Sequence, residues 1–413
     1  MQHFHYINNE LYADDVKLAD IAQQFGTPLY VYSRAALEEN WHAFADAFAA
    51  IKHRICYAVK ANSNLAILNF FAKHNAGFDI VSQGELARVL AANGDPKKIV
   101  FSGVGKQAAE IVSALEANVG CFNVESSAEL MRIHDIAMQH KKIANISLRL
   151  NPDIDPKTHP YIATGLSSNK FGIEFSDALA LCLKIQSMPY LKLIGVACHI
   201  GSQLTELEPF IEAIDRLLKL FVELQTQGIQ LEHINIGGGL GVQYENETPP
   251  TITQYVTAIR KKLENHSVEL ILEPGRVLVA NTGILLTRIE YIKQTSHKNF
   301  AITDAGMNDL LRPALYSAWH DIIPLSLRNT GKQHYYDVVG PVCESADFLG
   351  KKRLLELEAG DILAIATAGA YGFSMSSNYN TRPRPAEVLI DHNKVSLIRQ
   401  RETIESLFLN ESF

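Results

Sequence analysis

Between residues 28 and 280, short β-branched runs alternate with longer amphipathic stretches, and few loops are long enough to hold an inserted module. This alternation limits the chain to repeated βα units, in which helices cover both faces of a parallel sheet. The predicted strands are 54–59, 78–82, 99–102, 121–125, 146–150, 194–200, 233–237 and 269–273. Between them Leu37, Trp41, Phe44 and Phe48 fall on one helical face, and Ile211, Ile214, Leu217, Leu218, Phe221 and Leu224 form a second apolar stripe. Eight such strands suit a closed (β/α)8, TIM-like barrel better than an open doubly wound sheet.

After Ala280 the pattern changes to strand-like runs at Ile284–Lys293, Tyr335–Val339, Leu354–Leu357, Ile362–Ala366 and Glu387–Ile390, broken by Gly, Pro and Asn turns. The expected fold class is therefore α/β, a barrel over 28–280 followed by a mostly β domain over 281–413. Residues 1–27 read as a hairpin packing with the β domain. A formal charge of −7 argues against nucleic acid as the main partner. No run approaches the roughly 18 apolar residues of a membrane span and no signal-peptide pattern opens the chain, so a cytoplasmic protein is expected. The five cysteines are scattered without a Cys-x-x-Cys pair, which indicates neither a disulfide framework nor a metal site. Cys56, Cys121, Cys182 and Cys198 lie in apolar runs; Cys343 does not.

A barrel of this kind works at the carboxyl ends of its strands, and those positions are loaded with polar residues. Lys60 follows the first strand, Asp79 and Glu85 flank the second, and His199 with Ser202 ends the sixth. Gly237-Gly238-Gly239 ends the seventh, and Glu273 with Arg276 ends the eighth. A lysine in a low-dielectric pocket has a lowered pKa and becomes a nucleophile towards carbonyls, the requirement for a Schiff-base lysine. A triple glycine lets the backbone approach an anion such as phosphate. A carboxylate at 273 suits a protonated ring nitrogen, and Arg276 an anionic group. Taken singly, each has a plain alternative: a surface lysine, a tight turn, a structural ion pair, a core histidine.

Six segments together carry a resemblance. They are Tyr57-Ala58-Val59-Lys60-Ala61-Asn62, Phe78-Asp79-Ile80-Val81-Ser82, His199-Ile200-Gly201-Ser202-Gln203, Gly237-Gly238-Gly239, Glu273-Pro274-Gly275-Arg276 and Gly340-Pro341-Val342-Cys343-Glu344-Ser345. The chain resembles the pyridoxal-phosphate decarboxylases of the alanine-racemase-like barrel fold over nearly its whole length. Within them it most resembles the diaminopimelate decarboxylases. His159–Gly165, Asn308–Tyr316 and the Cys343-Glu344 pair set these apart from the ornithine and arginine enzymes.

The resemblance implies a pyridoxal 5'-phosphate enzyme that decarboxylates meso-2,6-diaminopimelate at its D-configured centre, giving L-lysine and CO2. It implies that Lys60 carries the cofactor, His199 stacks on its ring and Glu273 pairs with the ring nitrogen. Ser202, Gly237, Gly238, Gly239, Arg276 and Tyr371 would hold the phosphate, with Asp79 and Gly275 in the same cofactor site. Arg276, Arg312, Tyr316, Glu344 and Tyr371 would contact substrate, and Cys343 would return a proton to Cα. The loop with Cys343 would enter the barrel of a second subunit, so a homodimer with shared active sites is expected. The alternatives are another decarboxylase or a racemase of the same fold, or a non-catalytic relative. Arg312 speaks against the first pair, and the presence of both Lys60 and Cys343 against the last.

Overall fold

The alternating segments close into a ring. In the computed structural model, strands β1 (His53–Ala58), β2 (Gly77–Ile80), β3 (Ile99–Phe101), β4 (Cys121–Val124), β5 (Ala144–Asn151), β6 (Leu191–Cys198), β7 (His233–Asn235) and β8 (Glu269–Leu272) pair in parallel. β4 pairs with β5 and β8 returns to β1 through Leu270–Leu272 against His53–Ile55, which leaves no sheet edge. All eight predicted strands are present, with end points moved by at most three residues. A short strand, Ile173–Glu174, adds to the end of β5. The structure describes residues 3–155, 159, 162, 164–166, 168–328 and 330–413; Pro160, Tyr161 and Ala163 of the His159–Gly165 segment lie outside them.

Two compact units divide the chain. One comprises His42–Val242 and Thr248–Arg276 and contains the barrel; the other comprises Met1–Trp41, Gln243–Glu247 and Val277–Phe413. In the barrel unit both sheet faces are covered, so strand residues such as Tyr57, Phe78, Phe101 and Phe122 are fully buried. The helices start where local chemistry dictates. Ser82 caps Gln83–Ala91 while Glu85 reaches back to the Val81 N–H, and Ser126 with Glu129 repeats the device before Ser127–Gln139. Glu85 is thus a capping residue, and burial pushes its carboxyl up to about 7.

In the other unit one sheet runs in the order Phe348–Leu355, His334–Val339, Asn299–Thr303, Gly283–Gln294, Leu29–Ser33, Ala386–Asp391 and Lys394–Arg399. Leu29–Ser33 pairs antiparallel with Gly283–Gln294 and parallel with Ala386–Asp391. The amino-terminal hairpin Phe4–Ile7 and Glu10–Ala13 turns on Asn8 and Asn9, both left-handed, as a tight two-residue hairpin requires. Its Phe4 and Leu11 join a core with Leu29, Val31, Ile284, Leu286, Val388 and Ile390. The run read as Leu354–Leu357 is instead the strand Phe348–Leu355. Gly350-Lys351-Lys352-Arg353 disguises it, because Lys351 and Lys352 are exposed while Leu349 and Gly350 are buried. Asn299–Thr303, Ile322–Pro324 and Lys394–Arg399 are further strands that the apolar pattern did not mark.

Candidate active site

Lys60 sits in the single turn Val59–Ala61 that ends β1, and its Nζ donates to Asp79 Oδ2 at 2.5 Å. Asp79 lies on β2 with its side chain fully buried; its other oxygen, Oδ1, has no hydrogen-bond partner among the described residues. At the end of β8, Glu273 Oε1 accepts from Asn235 Nδ2 at 2.6 Å and from Asn123 Nδ2 at 3.3 Å. Burial and the nearby charge of Asp79 push the Glu273 carboxyl up to about 7, against the pull of Lys60 and the Asn235 bond. Such a carboxyl is costly to ionise until a positive group faces it.

The glycine run after β7 is closely packed. A Cβ would stand 2.7 Å from His199 Nδ1 at Gly237, 2.2 Å from the Glu273 carbonyl oxygen at Gly238 and 2.6 Å from the Gly201 carbonyl oxygen at Gly239. Gly237 and Gly239 also have φ of +67° and +115°. The Gly237 N–H is taken by Asn235 Oδ1 and the Gly238 N–H makes a long 3.3 Å bond to His199 Nδ1. Gly237 therefore serves the turn, and Gly238 and Gly239 are the amides of the run with most to offer an anion. Arg276 donates to Ser202 Oγ at 3.0 Å, next to the same loop. Burial, with the charges of Arg149 and Lys60, holds His199 well below the usual imidazole range, so its ring is neutral. Gly275 packs with no room to spare against Ala58 and Ala61, each 3.1 Å from where a Cβ would lie.

The other expected residues belong to the second unit. Cys343 is exposed, whereas the other four cysteines are buried, and its N–H donates to Asn380 Oδ1. The Tyr379 hydroxyl donates to Glu344 at 2.5 Å. Asp347 anchors this loop, accepting from the N–H groups of Val342 and Met307, both at 2.6 Å. Arg312 is buried at the start of the short helix Arg312–Tyr316, Tyr316 is half-buried, and Tyr371 holds a left-handed backbone at φ +56°. Strain of that kind at a tyrosine persists only where its surroundings enforce it.

The family described as pyridoxal-dependent decarboxylase, pyridoxal binding domain, matches residues 34–280. Diaminopimelate decarboxylase of Vibrio cholerae is 58% identical, covering 100% of this chain and 99% of the relative. The chain belongs to the diaminopimelate decarboxylase family. Two solved family members, each in complex with L-lysine, agree. That of Helicobacter pylori has a TM-score of 0.91 at 45% identity, covering 95% of this chain and 98% of its own. That of M. jannaschii has a TM-score of 0.94 at 40% identity, covering 99% and 98%. Membership makes the chain a pyridoxal-phosphate-dependent carboxy-lyase.

The residues at the barrel's carboxyl end fit that cofactor. Lys60 supplies an amine, the glycine run and Arg276 an anion cradle that side chains would fill, and Glu273 a buried carboxyl awaiting a cation. Asp79 Oδ1 is a buried acceptor still open to a donor. Sequence reasoning missed the supports. Asn123 and Asn235 aim Glu273, and the buried pairs Lys106–Glu129 at 2.6 Å and Arg149–Glu125 at 2.9 Å tie together the loops around them. The available signal was a lone amide inside an apolar strand, as in Cys121-Phe122-Asn123-Val124.

The raised Glu273 carboxyl gives a pH prediction for cofactor-free protein. The fold keeps this proton up to about 7, whereas the unfolded chain releases it near 4.3, so the folded state binds more protons between those values. Stability from this group is present below pH 4 and lost as pH rises to 7, on the order of 3–4 kcal/mol. Glu273→Gln, which keeps an acceptor for Asn235, is expected to raise Tm at pH 8 by about 5 °C and leave it unchanged at pH 4. Scanning calorimetry at the two pH values checks this; equal shifts at both would remove the ionisation from the explanation.

Proposed function

We propose that this chain decarboxylates meso-diaminopimelate to L-lysine and CO2, the closing step of lysine synthesis by that route. Full-length identity of 58% to a diaminopimelate decarboxylase carries the reading. The assigned site comprises Lys60 and Cys343 as catalytic residues and Asp79, His199, Ser202, Gly237 to Gly239, Glu273, Gly275, Arg276 and Tyr371 around the cofactor. Arg276, Arg312, Tyr316, Glu344 and Tyr371 are assigned to the substrate.

When bound, pyridoxal phosphate supplies a sink for the electron pair that the departing carboxylate leaves on Cα. Lys60 would anchor the cofactor through its amine, and Asp79, which accepts from Lys60 Nζ at 2.5 Å, would hold that amine whenever it is protonated. Glu273, held by two asparagines, would keep a proton on the cofactor's ring nitrogen, and the neutral His199 would offer a flat face to the ring. Cys343 would deliver a proton to Cα and recover one from solvent.

The far end of the substrate is a second amino-acid group. Arg312 is assigned its carboxylate and Glu344 its ammonium, a division that disfavours ornithine, which brings no distal carboxylate to Arg312. Arg312→Ala is expected to raise KM for diaminopimelate more than about tenfold; unchanged kinetics would exclude the assignment. The enzyme is further proposed to act in the cytoplasm as a homodimer, each Cys343 loop serving the partner's barrel. No helix among the described residues is long and apolar enough to cross a membrane.

A further inference from the structure

A neutral ring holds one edge of the Arg312 guanidinium. His320 is fully buried, with Nδ1 2.8 Å from the carbonyl oxygen of Ala366 and Nε2 2.8 Å from Arg312 Nη1. The carbonyl can only accept and the guanidinium can only donate. The proton therefore sits on Nδ1, and Nε2 presents its lone pair to Arg312. An imidazolium would set one N–H against another and place two cations together.

The support around this pair is firm. The Ala366 N–H donates to the Asp321 carbonyl at 2.8 Å, and the adjoining strands Ile322–Pro324 and Ile362–Ile365 pair antiparallel, so both ends of the histidine bond ride on one ladder. Tyr244 covers the pair, its ring centroid 4.3 Å from Arg312 Cζ and 5.2 Å, edge to face, from His320. A carboxylate at 320 would hold the guanidinium at least as firmly but would cancel its charge. An imidazole lone pair fixes its direction without adding a negative charge beside it.

We propose that His320 is a positioning residue that sets specificity for the substrate's distal carboxylate by aiming Arg312. This rests on the assignment of Arg312 to that carboxylate. In the holoenzyme, His320→Phe is expected to raise KM for meso-diaminopimelate about tenfold with kcat within about threefold, and His320→Gln, which restores an acceptor, to recover most of the loss. D-Lysine, the substrate without its distal carboxylate, is the control: its inhibition constant should not change in His320→Phe. In an Arg312→Ala background, His320→Phe should add no further rise in KM.

Equal weakening of diaminopimelate and D-lysine, or a further rise in the Arg312→Ala background, would overturn the proposal. So would failure of both His320 variants to fold, which would make the ring purely structural. If Arg312→Ala itself leaves KM unchanged, the Arg312 assignment fails and the role of His320 with it. If Arg312→Ala raises KM and His320→Phe does not, only the role of His320 is lost.

Discussion

Lys60→Ala is expected to lower turnover of diaminopimelate by at least about a thousandfold, the largest effect of any single change in this site. Lys60 is the amine at the carboxyl end of the barrel paired to a fully buried carboxylate. Its removal would take away both the proposed covalent anchor and the charge that offsets Asp79. After borohydride reduction of the holoenzyme, the peptide containing Lys60 should carry the cofactor in wild type, and no peptide should carry it in the variant. Label found on another lysine would move the anchor elsewhere.

The second large effect separates chemistry from binding. Cys343→Ala is expected to keep the cofactor's absorbance and affinity while turning over about a hundredfold more slowly, because the change removes only the proposed proton donor to Cα. Cys343 lies on an exposed loop held by Asp347, Tyr379 and Asn380, so its removal should leave the barrel intact. If sites are shared between subunits, mixing the strongly impaired Cys343→Ala and Lys60→Ala proteins should restore roughly a quarter of wild-type activity. Half of the reassorted dimers would then be mixed, each with one site built from two unaltered contributions. No recovery after verified exchange would place Cys343 and Lys60 of one site on the same chain.

The barrel was legible because a parallel strand buried on both faces must be an apolar run, and eight such runs are separated by stretches of helical period. The polar residues that end those runs were legible for the same reason: Lys60, His199 and Glu273 interrupt sequence that is otherwise apolar. Leu29–Ser33 shows the limit. It is as apolar as any barrel strand, yet it pairs with Gly283–Gln294 and Ala386–Asp391, partners distant in sequence that no local pattern names. Strand Phe348–Leu355 was obscured by Lys351 and Lys352, both exposed, in its middle.

The supporting residues were hidden for another reason. Asn235 and His320 matter through what they touch, and an amide or imidazole within a short segment carries no mark of a partner 38 or 8 residues away. Catalytic types announce themselves by residue chemistry at strand ends, whereas the groups that aim them emerge only from distances. Asp347 is a further case, since its bonds to Met307 and Val342 join two segments that the sequence shows only as separate motifs.

The most direct measurement is to supply the purified protein with pyridoxal phosphate and, separately, meso-diaminopimelate, ornithine and arginine, recording CO2 and the amine product together. Stoichiometric CO2 and L-lysine from diaminopimelate alone is the predicted result. Release of CO2 from ornithine or arginine with none from diaminopimelate would contradict it.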